Sequence, residues 1–92
     1  MSVHVLIPAS LRKFCEGNET VAVEAKDVRE ALNELEAKHP GIKTKLCDDS
    51  GNVRRFINIY ANQEDIRFLE NLDTAVQAGQ EIQIVPAIAG GR

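Results

Sequence analysis

One segment with helical periodicity lies among segments with strand periodicity, and this pattern constrains the fold more than any other feature. Apolar residues recur there at intervals of three and four, as on one face of a helix: Val28, Ala31, Leu32 and Leu35. Asp27 stands at the expected N-cap position, and Glu30 follows three residues later as in a capping box. Pro40 and Gly41 end the pattern. It therefore predicts one helix over residues 28–38.

The other regular segments alternate between apolar and polar residues, as half-buried strands do. The predicted strands are 3–7, 20–24, 54–60, a short strand at 65–68, and 81–86. Ile42 and Leu46 are expected to hold the loop after the helix against the core. Residues 69–76 are ambiguous, and one helical turn around 74–76 is one interpretation.

One amphipathic helix can cover one face of one sheet, which suits a chain of 92 residues. If the first and last strands are neighbours in mid-sheet, they run parallel and the helix lies in their crossover. The predicted fold is therefore α+β, a β-grasp (ubiquitin-like) mixed sheet of about five strands with one main helix on one face. Its domain spans 1–86, followed by a flexible diglycine tail at 87–92. The side chains expected to face the helix are Val5, Ile7, Val21, Val23, Leu32, Leu35, Ile57, Ile59, Ile82 and Ile84.

Charge and composition exclude several functions. The net charge is −3, and the basic residues form no stripe of the kind that binds nucleic acid. No apolar run approaches membrane-spanning length and no signal peptide is evident, so a cytoplasmic location is expected. Cys15 and Cys47 lie far apart and are expected to be free thiols.

The sequence offers no self-contained active site, so no enzyme activity is expected of the chain itself. His4 and His39 are the only histidines, and each has an ordinary structural interpretation. Two histidines and two scattered cysteines give no metal-ligand spacing. The acidic pairs Asp48-Asp49 and Glu64-Asp65 lie in predicted turns and are expected to be solvated.

The C-terminal tail is the segment that could take part in a covalent reaction. Gly90 and Gly91 have no side chains, so this segment can enter a narrow channel in a second enzyme. A free carboxylate on Gly91 would be ionised at neutral pH. It could be adenylated by ATP and then converted by a sulfur donor into a thiocarboxylate.

Three further stretches carry a resemblance to a known family: 7–12, 54–68 and 85–91. On these residues the chain resembles the ubiquitin-like sulfur carriers, the family of the molybdopterin-synthase small subunit (MoaD) and the thiamine-pathway carrier (ThiS). Residues 54–68 favour the subgroup that serves cysteine biosynthesis. The resemblance covers essentially the whole chain. It implies that Gly91 carries the sulfur and that the partner reads Ala87, Ile88 and Ala89.

The resemblance also implies a set of partners. An adenylyltransferase related to ubiquitin-activating enzymes would use ATP and magnesium, and a sulfur donor would follow. A cysteine-synthase-like enzyme with pyridoxal phosphate would accept the sulfur on an activated serine. A metal-dependent protease of the JAMM type would then release cysteine. The carrier itself is expected to bind no metal or cofactor.

Arg92 departs from the family pattern, in which the reactive form ends at the second glycine. With Arg92 in place the Gly91 carbonyl is an amide and cannot be adenylated, so we expect a protease to cleave between Gly91 and Arg92. The alternatives are a residue left by cloning and the stub of a longer extension.

The sheet face opposite the helix is the second candidate site. Strand alternation places His4 there, together with a possible partner surface of Leu6, Phe56, Tyr60 and Val85. An uncovered cluster of aromatic and aliphatic side chains often marks a partner surface. The alternative is that loops or a dimer contact cover it.

Other functions remain compatible with the same tail. The chain could serve the molybdopterin or thiamine pathway. It could instead be a ubiquitin-like modifier that forms isopeptide bonds with lysines, or a plain interaction domain.

Overall fold

The computed structural model describes residues 2–86. The predicted tail at 87–92 lies outside this range, so the domain boundary stays a prediction. The described elements are strands β1 (Val3–Leu6), β2 (Thr20–Val23), β3 (Ile57–Ala61), β4 (Glu64–Asp65) and β5 (Glu81–Pro86), helices α1 (Val28–Lys38) and α2 (Ile42–Leu46), and 3-10 helices at Ala9–Cys15, Ile66–Phe68 and Asn71–Asp73.

The strands form one mixed sheet in the order β2-β1-β5-β3-β4. β1 and β5 are parallel neighbours in the middle, with Val5 beside Ile82, while β1 and β2 are antiparallel. β5 also pairs antiparallel with β3. This is the predicted β-grasp arrangement, in which α1 lies in the crossover between parallel strands.

The core lies between α1 and the face of the sheet that α1 covers. Val28, Ala31, Leu32 and Leu35 of α1 are all buried. Of the ten side chains predicted to face the helix, nine are buried, and Ile57 is partly buried at the start of β3. Strand alternation therefore predicted the core correctly.

Helix α1 begins at the predicted residue because the side chains of Asp27 and Glu30 both accept backbone hydrogen bonds at its first turn. The Asp27 carboxylate accepts a hydrogen bond of 2.8 Å from the Glu30 backbone N–H. The Glu30 carboxylate accepts from the Lys26 N–H at 2.9 Å, one residue before the position that a capping box requires. The Val28 N–H donates to the Thr74 carbonyl at 3.0 Å, which fastens the helix start to the segment before β5.

The first two strands end one residue before their predicted ends, at Leu6 and Val23, and the next two differ more in extent. The third strand begins at Ile57 rather than at residue 54, because the Ile57 N–H donates to the Arg54 carbonyl and closes a turn. The fourth strand holds only Glu64–Asp65. Asp65 accepts from the Arg67 N–H at 2.9 Å, which starts a 3-10 helix over residues predicted to be extended.

Two connecting segments also differ from the predictions. Ile42 and Leu46 are buried as expected, but they belong to α2 rather than to a loop. The helical turn lies at Asn71–Asp73 rather than around 74–76. Ala75 instead forms an antiparallel bridge with Asp27, which keeps its segment extended.

Candidate functional site

The outer face of the sheet, meaning the face opposite α1, brings together side chains from three neighbouring strands. Leu6 of β1 pairs with Gln83 of β5, and Gln83 pairs in turn with Tyr60 of β3. Leu6 and Tyr60 are half-buried, and Gln83 is exposed. Alternation directs all three to the outer face, since their strand neighbours are buried in the core: Val5, Ile59, Ile82 and Ile84.

Val85 extends this cluster toward the end of β5. It is half-buried and pairs with Asn58, while the final pair of the ladder joins Ile57 and Pro86. The last described residue, Pro86, therefore lies beside Ile57, one residue beyond Val85. A partner that holds the residues after Pro86 would lie beside Val85.

Phe56 does not belong to the sheet. It lies in the turn before β3, where its side chain is 53% exposed. The guanidinium carbon of Arg55 lies 5.5 Å from the centre of the Phe56 ring, a cation–π arrangement. The prediction that Phe56 follows strand alternation was therefore wrong, although Phe56 is exposed as a partner-binding side chain must be.

A cavity of about 320 Å³ opens where β1 and β5 end, and we call it the exit groove. Its lining includes Leu6, Pro8, Arg12, Val85 and Pro86. The Arg12 Nε donates to the Ile7 carbonyl at 3.0 Å, which holds this side chain across the groove. The groove offers apolar surface, the Arg12 cation and the Glu19 carboxylate beside the last described residues of the chain.

The structure thus gathers three of the four predicted surface residues, Leu6, Tyr60 and Val85, on one face. Sequence patterns did not indicate Pro8 and Arg12, because the exit groove depends on the pairing of β1 with β5. The predicted sulfur-carrying residues, Gly90 and Gly91, lie outside the described residues. So do the predicted tail contacts and processing residue: Ala87, Ile88, Ala89 and Arg92.

The cysteines and histidines have ordinary surroundings. Cys15 and Cys47 are free and buried, and burial raises the pKa of both thiols because it disfavours the thiolate. His4 is exposed on the outer face, and His39 follows α1 as its C-cap, half-buried. Within residues 2–86, no group of three His, Cys, Asp or Glu side chains could hold a metal ion.

One residue of each acidic pair, Asp48 and Asp65, has a specific structural role. Asp48 accepts hydrogen bonds from the backbone N–H groups of Ser50 and Asn52, which stabilises its turn. Asp65 forms an ion pair of 2.7 Å with Arg67 and was wrongly predicted to be simply solvated. The hydrogen bonds from the Arg67 side chain, and then from its backbone N–H, lower the pKa of Asp65.

None of the helices within residues 2–86 has the length and apolar character needed to span a membrane.

Comparison with known proteins shows four similarities: to one family model, to one relative and to two solved structures. The model of the ThiS family matches residues 5–91. The "Sulfur carrier protein CysO" of Mycobacterium tuberculosis (strain ATCC 25618 / H37Rv) is 41% identical, over 99% of this chain and 100% of the relative.

Two solved structures show the same architecture. A chain in the crystal structure of the BexX/CysO complex of Amycolatopsis orientalis matches with a TM-score of 0.91 and 39% identity, over 97% of this chain and 99% of that chain. SAMP1 from Haloferax volcanii matches with a TM-score of 0.83 and 29% identity, over 99% and 100% of the two chains.

Proposed function

Because this chain belongs to the ThiS family, we propose that its C-terminal glycines carry sulfur as a thiocarboxylate. The family and the CysO relatives make the chain a ubiquitin-like sulfur carrier rather than an enzyme. The observation that carries the finer proposal is the 41% identity to a sulfur carrier across 99% of the chain. The family-model match also extends over Gly90 and Gly91.

The proposed chemistry takes place at the carboxylate of Gly91. A carboxylate oxygen attacks the α-phosphorus of ATP, pyrophosphate leaves, and an acyl adenylate forms. Hydrosulfide then attacks the carbonyl carbon and displaces AMP, so that one oxygen is replaced by sulfur. The activating enzyme supplies the ATP site and the magnesium, and Gly90 lets the tail reach that site because glycine has no side chain to clash.

Arg92 must leave before this reaction can begin. In the chain as it stands, the Gly91 carbonyl is part of a peptide bond and offers no carboxylate. The family match ends at Gly91, one residue before Arg92, which supports a mature form that ends in the diglycine. Hydrolysis of the Gly91–Arg92 bond would produce the reactive Gly91 carboxylate.

Cysteine biosynthesis is the proposed destination of the sulfur, since the relatives at 41% identity are CysO proteins. The acceptor would be a pyridoxal-phosphate enzyme that binds an activated serine. The thiocarboxylate sulfur would bond to the serine-derived β-carbon after the activating group has left with the serine oxygen. A shift of the Gly91 acyl group from sulfur to nitrogen would then free the thiol and leave cysteine attached to Gly91 through an amide. A metal-dependent protease would hydrolyse this amide and regenerate the Gly91 carboxylate.

The outer face and the exit groove form the proposed docking site for the activating enzyme. Leu6, Tyr60 and Val85 provide partly exposed apolar surface, and Phe56 lies exposed before β3. These side chains lie near Pro86, the last described residue of β5. An enzyme could therefore bind the folded domain and extend the tail into its ATP site at the same time.

Mass spectrometry tests the sulfur-carrier proposal. The form that ends at Gly91 is incubated with ATP, magnesium, the adenylyltransferase and sulfide. The expected result is a mass gain equal to the exchange of one oxygen for sulfur, and the form that retains Arg92 is the matched control that should stay unchanged. An unchanged Gly91 form, with an enzyme that is active on another carrier, would refute the proposal.

A second candidate is supported by the likeness to SAMP1, named a small archaeal modifier protein. In that case the activated Gly91 carbonyl would be attacked by lysine amines of other proteins. Adducts of high molecular weight in the same assay, with added cell protein, would favour this function.

A further inference from the structure

A second cavity lies at the inner side of β3, away from the outer face. Its volume is about 360 Å³, and it opens among β3, the loop 52–55 and the two 3-10 helices that follow β4. Its apolar lining consists of Val53, Ile57, Ile59, Ile66 and Leu72. Ile57 and Val53 are only partly buried, so this edge of the core is accessible from the surface.

The rim of this cavity is basic. Four of the six arginines of the chain line it, namely Arg29, Arg54, Arg55 and Arg67. Only two acidic residues, Glu70 and Asp73, are part of the same lining. This concentration is unexpected in a chain of net charge −3. We call the cavity and its rim the arginine pocket.

The arginines differ in how far their charge is already compensated. Arg29 forms an ion pair with Asp73 at 3.1 Å, and Arg67 forms one with Asp65 at 2.7 Å. Arg54 uses only its Nε, which donates to the Thr44 carbonyl at 2.9 Å.

Arg55 lies over the Phe56 ring. Among residues 2–86, neither Arg54 nor Arg55 forms an ion pair with a carboxylate. Both guanidinium groups therefore retain donors for a ligand.

We propose that the arginine pocket binds an acidic segment of a partner protein. Carboxylates of the segment would bind Arg54 and Arg55, and an apolar side chain between them would enter the cavity above Ile57 and Ile59. Arginine is suited to this role because its planar donors match the two oxygens of a carboxylate. Arginines that form no ion pair within residues 2–86 lie beside an apolar cavity, and this combination favours an occupant with both acidic and apolar side chains.

The position of the pocket supports a protein partner. Ile57 lines the pocket and is paired with Pro86 at the end of β5. A partner that holds the residues after Pro86 would therefore lie within reach of Arg54 and Arg55. The inference that the partner also holds the tail rests on the proposed carrier function, in which an enzyme binds the residues after Pro86.

The test uses NMR titration of the full chain with a blocked tetrapeptide of three aspartates and one leucine. Its uncharged analogue, with asparagine in place of aspartate, serves as the ligand control. We expect saturable shifts of the Ile57 and Ile59 methyl signals with the acidic peptide only, with a Kd in the millimolar range.

Matched charge variants show which cations bind the peptide. The double variant Arg54→Gln/Arg55→Gln should weaken binding roughly fivefold, the loss of about 1 kcal/mol expected for exposed ion pairs. The control Lys26→Gln/Lys38→Gln removes the same charge elsewhere and should change the Kd less than about twofold. Arg55→Gln alone keeps the test valid if loss of the Arg54–Thr44 hydrogen bond disturbs folding.

Four results would overturn the proposal. The first three are the absence of a saturable shift, equal binding of the uncharged analogue, and equal weakening of binding in the lysine control. The fourth is displacement of the peptide by inorganic phosphate, seen as shifts of the same methyl signals. The last result would identify a site for small anions. None of these measurements uses ATP, an activating enzyme or a mature tail, so their failure is distinct from failure of the sulfur-carrier assay.

Discussion

The carboxylate of Glu36 in α1 accepts a hydrogen bond of 2.9 Å from the backbone N–H of Lys43 in α2. The same carboxylate accepts from the Gly41 N–H at 3.0 Å. These donors lie at the start of α2, where backbone N–H groups have no partner within the helix. A side chain of one helix thus caps the next. The hydrogen bonds from Lys43 and then Gly41 lower the pKa of Glu36, because they favour its ionised form.

We predict that Glu36→Ala destabilises the domain by about 1 kcal/mol at neutral pH, as the loss of a helix cap does. Because the pKa of Glu36 is lowered on folding, its contribution is complete above the ordinary value of 4.5 and is lost as the pH falls through the lowered value. Urea unfolding of wild type and variant over a pH series measures this difference. Glu34→Ala, at an exposed position of α1, is the control. A penalty that persists in full at strongly acidic pH would contradict the cap.

The turn between β3 and β4 offers a stabilising substitution. Ala61 pairs with Glu64, and the two residues between them, Asn62 and Gln63, have φ values of 52° and 78°. Such positive values characterise the type I′ turn, in which glycine is favoured at the second position. Gln63→Gly should therefore stabilise the domain by roughly 0.5–1 kcal/mol.

Thermal unfolding measures the effect of Gln63→Gly as a higher Tm. Gln63→Ala is the matched control, because it shortens the side chain but keeps the Cβ that is strained at positive φ. An equal gain in both variants would show that the side chain beyond Cβ, rather than the backbone conformation, causes the effect.

Phe56→Asp tests the proposed docking site. Phe56 is 53% exposed and lies outside β3, so the substitution should leave the circular-dichroism spectrum unchanged. Binding to the adenylyltransferase should weaken at least roughly tenfold, as for an aromatic interface residue whose loss costs more than 1 kcal/mol. Calorimetry with the purified enzyme measures this change.

The control for Phe56 is Phe68→Asp. Phe68 is another exposed aromatic side chain, 85% accessible, in the 3-10 helix after β4. Equal weakening in both variants would indicate that the added negative charge, rather than the position of Phe56, opposes binding.

The two cysteines provide a probe of global unfolding. Cys15 and Cys47 are buried, and burial raises the pKa of both thiols, so that less thiolate is present at a given pH. We expect alkylation by iodoacetamide at mildly alkaline pH to be slow in the native protein and fast in denaturant. Mass spectrometry measures the rate of alkylation. Rapid modification of one cysteine under native conditions would show local opening around that residue.

Several elements were predictable because their signals are local. The bounds of α1 and β5 match the predictions, since the apolar period and the residues Asp27 and Pro86 mark their ends. The Asp65–Arg67 pair was missed although it too is local. An aspartate two residues before an arginine can start a 3-10 turn as well as continue a strand, and only the observed hydrogen bonds distinguish the two.

By itself the sequence determined the periodicity of the elements, the residues that face the core and the diglycine that suggests carrier chemistry. These properties depend on residues that are neighbours within a turn of helix or along one strand. Only the tertiary structure decided where α2 begins, because its cap comes from Glu36 of another helix. It also decided the exit groove and the arginine pocket, since Arg29 and Arg67 approach the same cavity from segments far apart in the chain. No local pattern records such contacts, because strand pairing and packing create them.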